Sequence, residues 1–270
     1  MSETPMSETP GPVLPLFYAD PVALHSARHG TWRLLPGDAQ PMAEAPAVPV
    51  TASEFAAACG AYPILFAQGG GAPVVLTGLE RRNLFIEDGR WAEGAYVPAY
   101  VRRYPFLLIE AADKSGWGLA IDADSARVAR RGGKGLPLFE GGEPSAVTRE
   151  ALEFCRLFNE DHQRTLAFCA AVEAAGLLIE RRADATMPDG RKLAVQGFSV
   201  IDEQAFAALD DATVVDWHRK GWLALVHFHL ASLQRFADLV RRQGLQDRQA
   251  TDELSSNSAK TPAEEPVAVQ

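Results

Sequence analysis

Residues 183–201, ADATMPDGRKLAVQGFSVI, alternate small or apolar side chains with polar ones on either side of Asp189-Gly190. A period of two residues places alternate side chains on opposite faces of an extended chain, and Asp-Gly supplies the positive backbone angles of a tight turn, so the stretch reads as a β-hairpin. The preceding segment has a different period. From Thr148 to Ala175, the residues Leu152, Cys155, Phe158, His162, Leu166, Cys169 and Val172 recur every three or four positions, and Gly176 follows as a stop. That spacing predicts a long amphipathic helix with a glycine C-terminal cap. A long helix running into a hairpin argues for an α+β fold, a mostly antiparallel sheet with the C-terminal helices packed as a layer.

Working outward, short strand candidates lie at Pro73–Leu79, Asn83–Glu87, Phe106–Glu110 and Gly116–Ile121, with Asp88-Gly89 as a second tight turn. Residues 52–60 predict a helix capped by Thr51 or Ser53 and ending at Tyr62-Pro63. Asp202 caps a helix over 203–209, Asp211 caps a turn reaching Lys220, and Trp222–Arg242 reads as one long, largely buried helix. Residues 1–12, with their repeated Met-Ser-Glu-Thr-Pro, and the polar tail 246–270 predict disordered ends around a single domain over 13–245.

With 47% hydrophobic and 23% charged residues the composition is that of a globular protein, and the net charge of −9 argues against sequence-independent binding to nucleic acid. No run approaches the roughly 20 apolar residues of a membrane span, and the acidic, proline-bearing start lacks the pattern of an N-terminal secretion signal. The location expected is cytoplasmic, or envelope-associated through a signal that is not N-terminal. Cys59, Cys155 and Cys169 show no Cys-x-x-Cys spacing and read as reduced and structural.

The densest chemistry lies in YVPAYVRRYPF, residues 96–106, with three tyrosines, two prolines and two arginines. Tyrosine and arginine are favoured at recognition surfaces because each joins a large contact area to a polar tip. Tyr96, Tyr100, Arg102, Arg103 and Tyr104 are therefore candidate binding residues, and the two adjacent arginines are expected to differ in role, one pairing internally and one facing a partner. A second constellation, Trp217, His218, Trp222 and His227, with His229 beyond it, opens the last helical region. Two residues apart on a helix, His227 and His229 point about 200° apart and cannot chelate one metal together, so neither a metal nor another cofactor is expected. No nucleophile elbow occurs. Gly69-Gly70-Gly71 lacks the Gly-Lys-Ser/Thr of a phosphate loop and reads as a hairpin turn.

In order and spacing, several elements together resemble the SapC family of bacterial proteins: Glu54-Phe55 leading to Tyr62-Pro63-Ile64, Asn83-Leu84-Phe85, the Trp91–Phe106 block and Leu138-Phe139. The helix through Asn159 and Thr165, Gly197-Phe198, and Trp217-His218 to His229 extend the match over about residues 13–240. The resemblance implies a link to the bacterial cell envelope, the surface layer or an outer-membrane uptake system; the permease that shares the family's name has several membrane spans, and this sequence shows none. With no catalytic motif, a non-enzymatic binding or assembly factor with a protein or peptide partner is favoured. The alternative is an enzyme or small-ligand protein, its ligand unknown, with a pocket between Tyr96–Phe106 and Trp217–His229.

Overall fold

The structure is a computed structural model, and it describes residues 14–37, 39–69, 71–110, 116–187 and 189–258. The helices are α1 Ser26–His29, α2 Phe55–Ala58, α3 Ala99–Arg102, α4 Ala146–Ala174, α5 Glu203–Ala207, α6 Asp211–Lys220, α7 Trp222–Ser232 and α8 Arg235–Ser258. The first strands are β1 Pro21–Ala23, β2 Arg33–Leu34, β3 Ala47–Pro49, β4 Ile64–Ala67, β5 Pro73–Leu76, β6 Ile86–Glu87 and β7 Arg90–Trp91. Then come β8 Phe106–Glu110, β9 Trp117–Asp122, β10 Val128–Ala129, β11 Leu136–Pro137, β12 Phe139–Glu140, β13 Glu143–Pro144, β14 Leu178–Thr186 and β15 Lys192–Ile201. Every strand pairing among the described residues is antiparallel, and the fold class is α+β.

The chain divides into two compact units, one of residues 1–41 and 103–159, the other of residues 42–102 and 160–270. The first holds the sheet β1-β9-β8, the small sheet β10-β2-β11, the β12-β13 hairpin and the start of α4. Leu34, Phe106, Leu119, Ile121, Leu138 and Cys155 form its core. The second is built on the sheet β14-β15-β4-β5-β3, with Phe55, Tyr62, Ile64, Phe66, Phe168 and Val172 fully buried.

The hairpin at 183–201 forms as the alternation requires, with β14 and β15 pairing from Leu178↔Ile201 to Thr186↔Lys192. Its register slips between Arg181 and Ala183, where Gly197 takes φ of +81°, so one extra residue on β15 is absorbed by a glycine in the left-handed region. The other predicted turn also forms. Asp88 and Gly89, with φ of +49° and +73°, close the β6-β7 pair.

Several boundaries differ from the sequence reading, each for a local reason. Only Ile86–Glu87 of the expected strand at 83–87 pairs, because the Asn83 side chain accepts a bond from Phe85 N at 3.0 Å and turns the backbone. Asp210, one residue before the expected cap, starts α6 by accepting from Thr213 N at 3.0 Å. The helix expected over 222–242 is two helices. Ser232 Oγ donates to the His229 carbonyl at 2.6 Å and accepts from Ile64 N at 2.9 Å, and a serine bonded back to its own helix favours a break there.

The second half of that pair, α8, continues to Ser258, so residues 246–258 are helical where a disordered tail was expected. Gln246 is buried and bonds the Leu84 carbonyl, and Asp247 pairs with Arg191, contacts that hold the helix beyond residue 245. The expected disorder of residues 1–12 and 259–270 lies outside the described residues, as does Gly70 of the glycine run between the paired strands β4 and β5. On α4 the inward face keeps Cys155, Cys169 and Val172 of the stripe read in the sequence, with Phe158 and His162 half-buried, and departs from it at four positions, gaining buried Thr165 and Phe168 and losing exposed Leu152 and Leu166.

We propose that residues 13–245 behave as one body towards proteases. Each unit combines two separate stretches of sequence, so no single cut divides one from the other. A cut at Gly132–Gly135 would part β10 from β11, which flank the same strand, β2. Limited proteolysis read by mass spectrometry is expected to trim only the ends. Two stable fragments split near residues 132–142 would overturn the proposal.

Candidate functional site

The site begins with a carboxylate that the sequence reading passed over. Thr51 and Glu54 form a reciprocal cap at the turn leading into α2, with Glu54 Oε2 accepting from Thr51 N at 2.8 Å and lying 2.9 Å from the Thr51 hydroxyl. Its other oxygen, Oε1, accepts from Ala99 N at 2.6 Å and from the Tyr96 hydroxyl at 2.9 Å. Glu54 is only 5% exposed, so these donors stand in for the water it has lost. The Thr51 hydroxyl also lies 2.9 Å from Asp161 Oδ2, and its single hydrogen can serve only one of the two carboxylates. Ser53 donates to the same Asp161 oxygen. The Thr-x-x-Glu spacing was the signal in the sequence that could have revealed Glu54.

This carboxylate fixes the front of the tyrosine–arginine block. Tyr62 Oη donates to the Tyr96 carbonyl at 2.6 Å and accepts from Trp91 Nε1 at 2.8 Å, so the backbone and the side chain of Tyr96 are both held. Burial pushes the Tyr62 phenol well up from its ordinary value. Burial, reinforced by Glu54 and opposed by Arg102, pushes Tyr96 up to about 12. Both are therefore neutral donors at physiological pH. Beyond them, Arg102 is exposed and oriented, with Nη2 3.0 Å from the Tyr96 hydroxyl, Nε 3.1 Å from the Val97 carbonyl and the guanidinium 5.7 Å from the centre of the Tyr96 ring. Tyr100, between them in sequence, is buried. The neighbouring arginines do not lie in one extended strand, because Arg102 closes the short helix α3.

Arg103 and Tyr104 belong to the first unit and have internal surroundings. The half-buried Arg103 guanidinium lies 4.3 Å from the centre of the Phe158 ring and 5.7 Å from that of Tyr18, at stacking distance. Tyr104 is buried, donates to Asp122 Oδ2 at 3.0 Å, and has its phenol pKa raised chiefly by burial. Asp122 Oδ1 takes Asp20 N at 2.8 Å and Ala19 N at 3.2 Å, fastening the start of the described chain to β9. Arg127 Nη1 donates to the Tyr104 carbonyl at 2.5 Å.

The tryptophan–histidine constellation separates into core and surface. Trp217 is buried with its ring centre 5.8 Å from Trp222 and 6.5 Å from Phe168, and Phe168 and Trp222 are 6.0 Å apart. Lys220 Nζ lies 4.6 Å from the Trp222 ring centre. His218 and His227 are exposed, His227 edge-on to Phe206 at 5.4 Å. His229, on the same helix as His227, is fully buried, and its Nε2 accepts from Ile201 N at 3.0 Å. Burial lowers it to about 4, with the Ile64 backbone acting in the opposite direction, so it is neutral and structural near pH 7.

No group of three His, Cys, Asp or Glu side chains able to hold a metal occurs among the described residues. Cys155 and Cys169 are free thiols on α4, each pushed up to about 11 chiefly by burial. Thiols so protonated are poor nucleophiles. Two grooves among the described residues are lined by Gln68, Glu180, Gln196 and Phe198 in one case and by Glu87, Arg241 and Gln246 in the other. Neither includes a residue of Tyr96–Phe106 or Trp217–His229.

The sequence pattern that defines the SapC family matches residues 24–239, most of the chain, and the protein belongs to that family. No curated protein and no solved structure matches it significantly. No helix among the described residues is long and apolar enough to cross a membrane.

Proposed function

We propose that the protein is a non-enzymatic binding or assembly factor of the bacterial cell envelope, tied to its surface layer or to an outer-membrane uptake system, and that it contacts a protein or peptide through the surface around Tyr96 and Arg102. The observation that carries this reading is the support behind Arg102. A buried carboxylate, a half-buried tyrosine and a backbone carbonyl together fix an exposed guanidinium, and an arginine ordered before binding loses less freedom when a partner docks. His218 and His227, also exposed, are secondary candidates for contact, whereas buried Tyr100, Tyr104 and Trp217 serve the scaffold. The link to the envelope rests on family membership.

The test is affinity capture from the native bacterium with the parent protein and with Arg102→Ala. Because Arg102 is exposed, the variant is expected to unfold within about 0.5 kcal/mol of the parent while losing envelope proteins that the parent retains. An unchanged set of captured proteins would remove this surface from the proposal.

A further inference from the structure

Strand β14, Leu178–Thr186, ends the sheet order β14-β15-β4-β5-β3, and among the described residues no strand flanks its outer edge. The opposite edge is guarded. There β3 is three residues long and carries Pro49, which has no N–H to offer, whereas β14 runs for nine residues without a proline.

The hydrogen bonds at the two ends of the hairpin decide which backbone groups face outward. Met187 N donates to the Arg191 carbonyl at 2.8 Å and Asp202 N to the Leu177 carbonyl at 2.8 Å, so from both ends the odd-numbered residues of β14 are the ones that bond to β15. The N–H and C=O groups of Glu180, Arg182, Asp184 and Thr186 therefore lie along the free edge. Their side chains are all exposed and share one face, on which Arg182 Nε lies 2.8 Å from Asp184 Oδ1.

The charges along this edge fit a second copy of it. Two β14 strands related by a twofold axis pair antiparallel, and because their even-numbered residues must face each other, the axis falls on a single residue that meets its own copy. Of the central residues Glu180 to Asp184, all but Ala183 would there oppose a like charge. With Ala183 on the axis, Arg182 of each copy stands opposite Asp184 of the other, Glu180 opposite Thr186 and Arg181 opposite Ala185, and no like charges are opposed. The arginines and aspartates then alternate in sign round a rectangle, so each arginine keeps the aspartate of its own strand and gains a second. We propose that the protein dimerises through β14 in this register, joining the five-stranded sheets of two copies edge to edge. The edge includes no residue of the Tyr96–Arg102 surface, so either proposal can fail alone.

Sedimentation equilibrium of the full chain from about 1 to 200 µM tests it, and a dimer with a Kd of about 1–100 µM is expected. Arg182→Glu or Asp184→Arg alone opposes like charges twice across the axis and is expected to weaken the dimer at least about fivefold. Made together, the two changes exchange the signs and restore both pairs, and the double variant is expected to dimerise within about twofold of the parent. Both side chains are more than half exposed, at 61% and 67%, so the far-ultraviolet circular dichroism of all three variants is expected to match the parent. Three results overturn the proposal: a chain still monomeric at about 200 µM, which leaves the edge to solvent or to a strand of another protein, a dimer that either single change leaves as tight, or a double variant that does not recover it.

Discussion

Glu54→Ala is expected to lower the unfolding free energy by about 3 kcal/mol, the largest loss from any single side chain around the candidate site. The carboxylate receives Thr51 N, Ala99 N and the Tyr96 hydroxyl, with the Thr51 hydroxyl 2.9 Å away, and alanine leaves the first turn of α3 and a half-buried phenol without an acceptor. Each buried donor so stranded costs about 1–3 kcal/mol, while removing a buried charge returns some of its desolvation cost. Glu54→Gln keeps the shape and one good acceptor oxygen and should fall about halfway. Ser53→Ala, next to it but exposed, is expected to change stability by less than about 1 kcal/mol. Urea unfolding of the three variants measures these values. If Glu54→Ala unfolds within about 0.5 kcal/mol of the parent, Glu54 does not anchor the block and Arg102 has no fixed support behind it.

The fold was legible wherever local chemistry and tertiary packing agree. The β14-β15 hairpin, the Asp88-Gly89 turn, β8 and the capped helix α5 follow from alternation, turn residues and an aspartate at the right place. The reading went astray where one side chain redirects the backbone, as Asn83 does before β6 and Ser232 does at the end of α7. It also stopped α8 too soon. The sequence of residues 246–258 is polar enough to pass for a loose tail, and only the distant Leu84 carbonyl and Arg191 reveal what holds the helix past residue 245.

Of the site, the exposed and buried members of the block could not be told apart from composition. Tyr96, Tyr100 and Tyr104 look alike in sequence, yet one bridges Glu54 to Arg102, one is buried and one is fastened to Asp122 in the other unit. Alternation in an extended strand was the argument for giving Arg102 and Arg103 different surroundings. Their surroundings do differ, but because a one-turn helix ends at Arg102 and Arg103 stacks on Phe158. Glu54 itself was visible as a capping box. What sequence could not supply was its second oxygen, whose partners lie more than forty positions away.

His229 should make stability fall in acid. Its ring is fully buried, accepts Ile201 N and sits 5.2 Å from the centre of the Phe66 ring, so protonation would abolish an acceptor and place a charge among apolar groups. The folded value of about 4 lies below the ordinary 6.5 of an unfolded chain, so between those limits the unfolded state binds the extra proton. Stability from this group is therefore complete above about pH 6.5 and is lost as pH falls towards 4, by an amount on the order of 3 kcal/mol. Carboxylates titrate in the same acid range, so the measurement is a difference. Unfolding free energies of the parent and of His229→Gln, whose side-chain oxygen can still accept Ile201 N but does not titrate, are compared at intervals from pH 7.5 to about 4.5. The parent is expected to lose more stability than the variant, with the gap opening below about pH 6.5 and widening steadily. Parallel curves over that whole range would mean that His229 gains its proton without resistance and adds nothing to the acid dependence of stability.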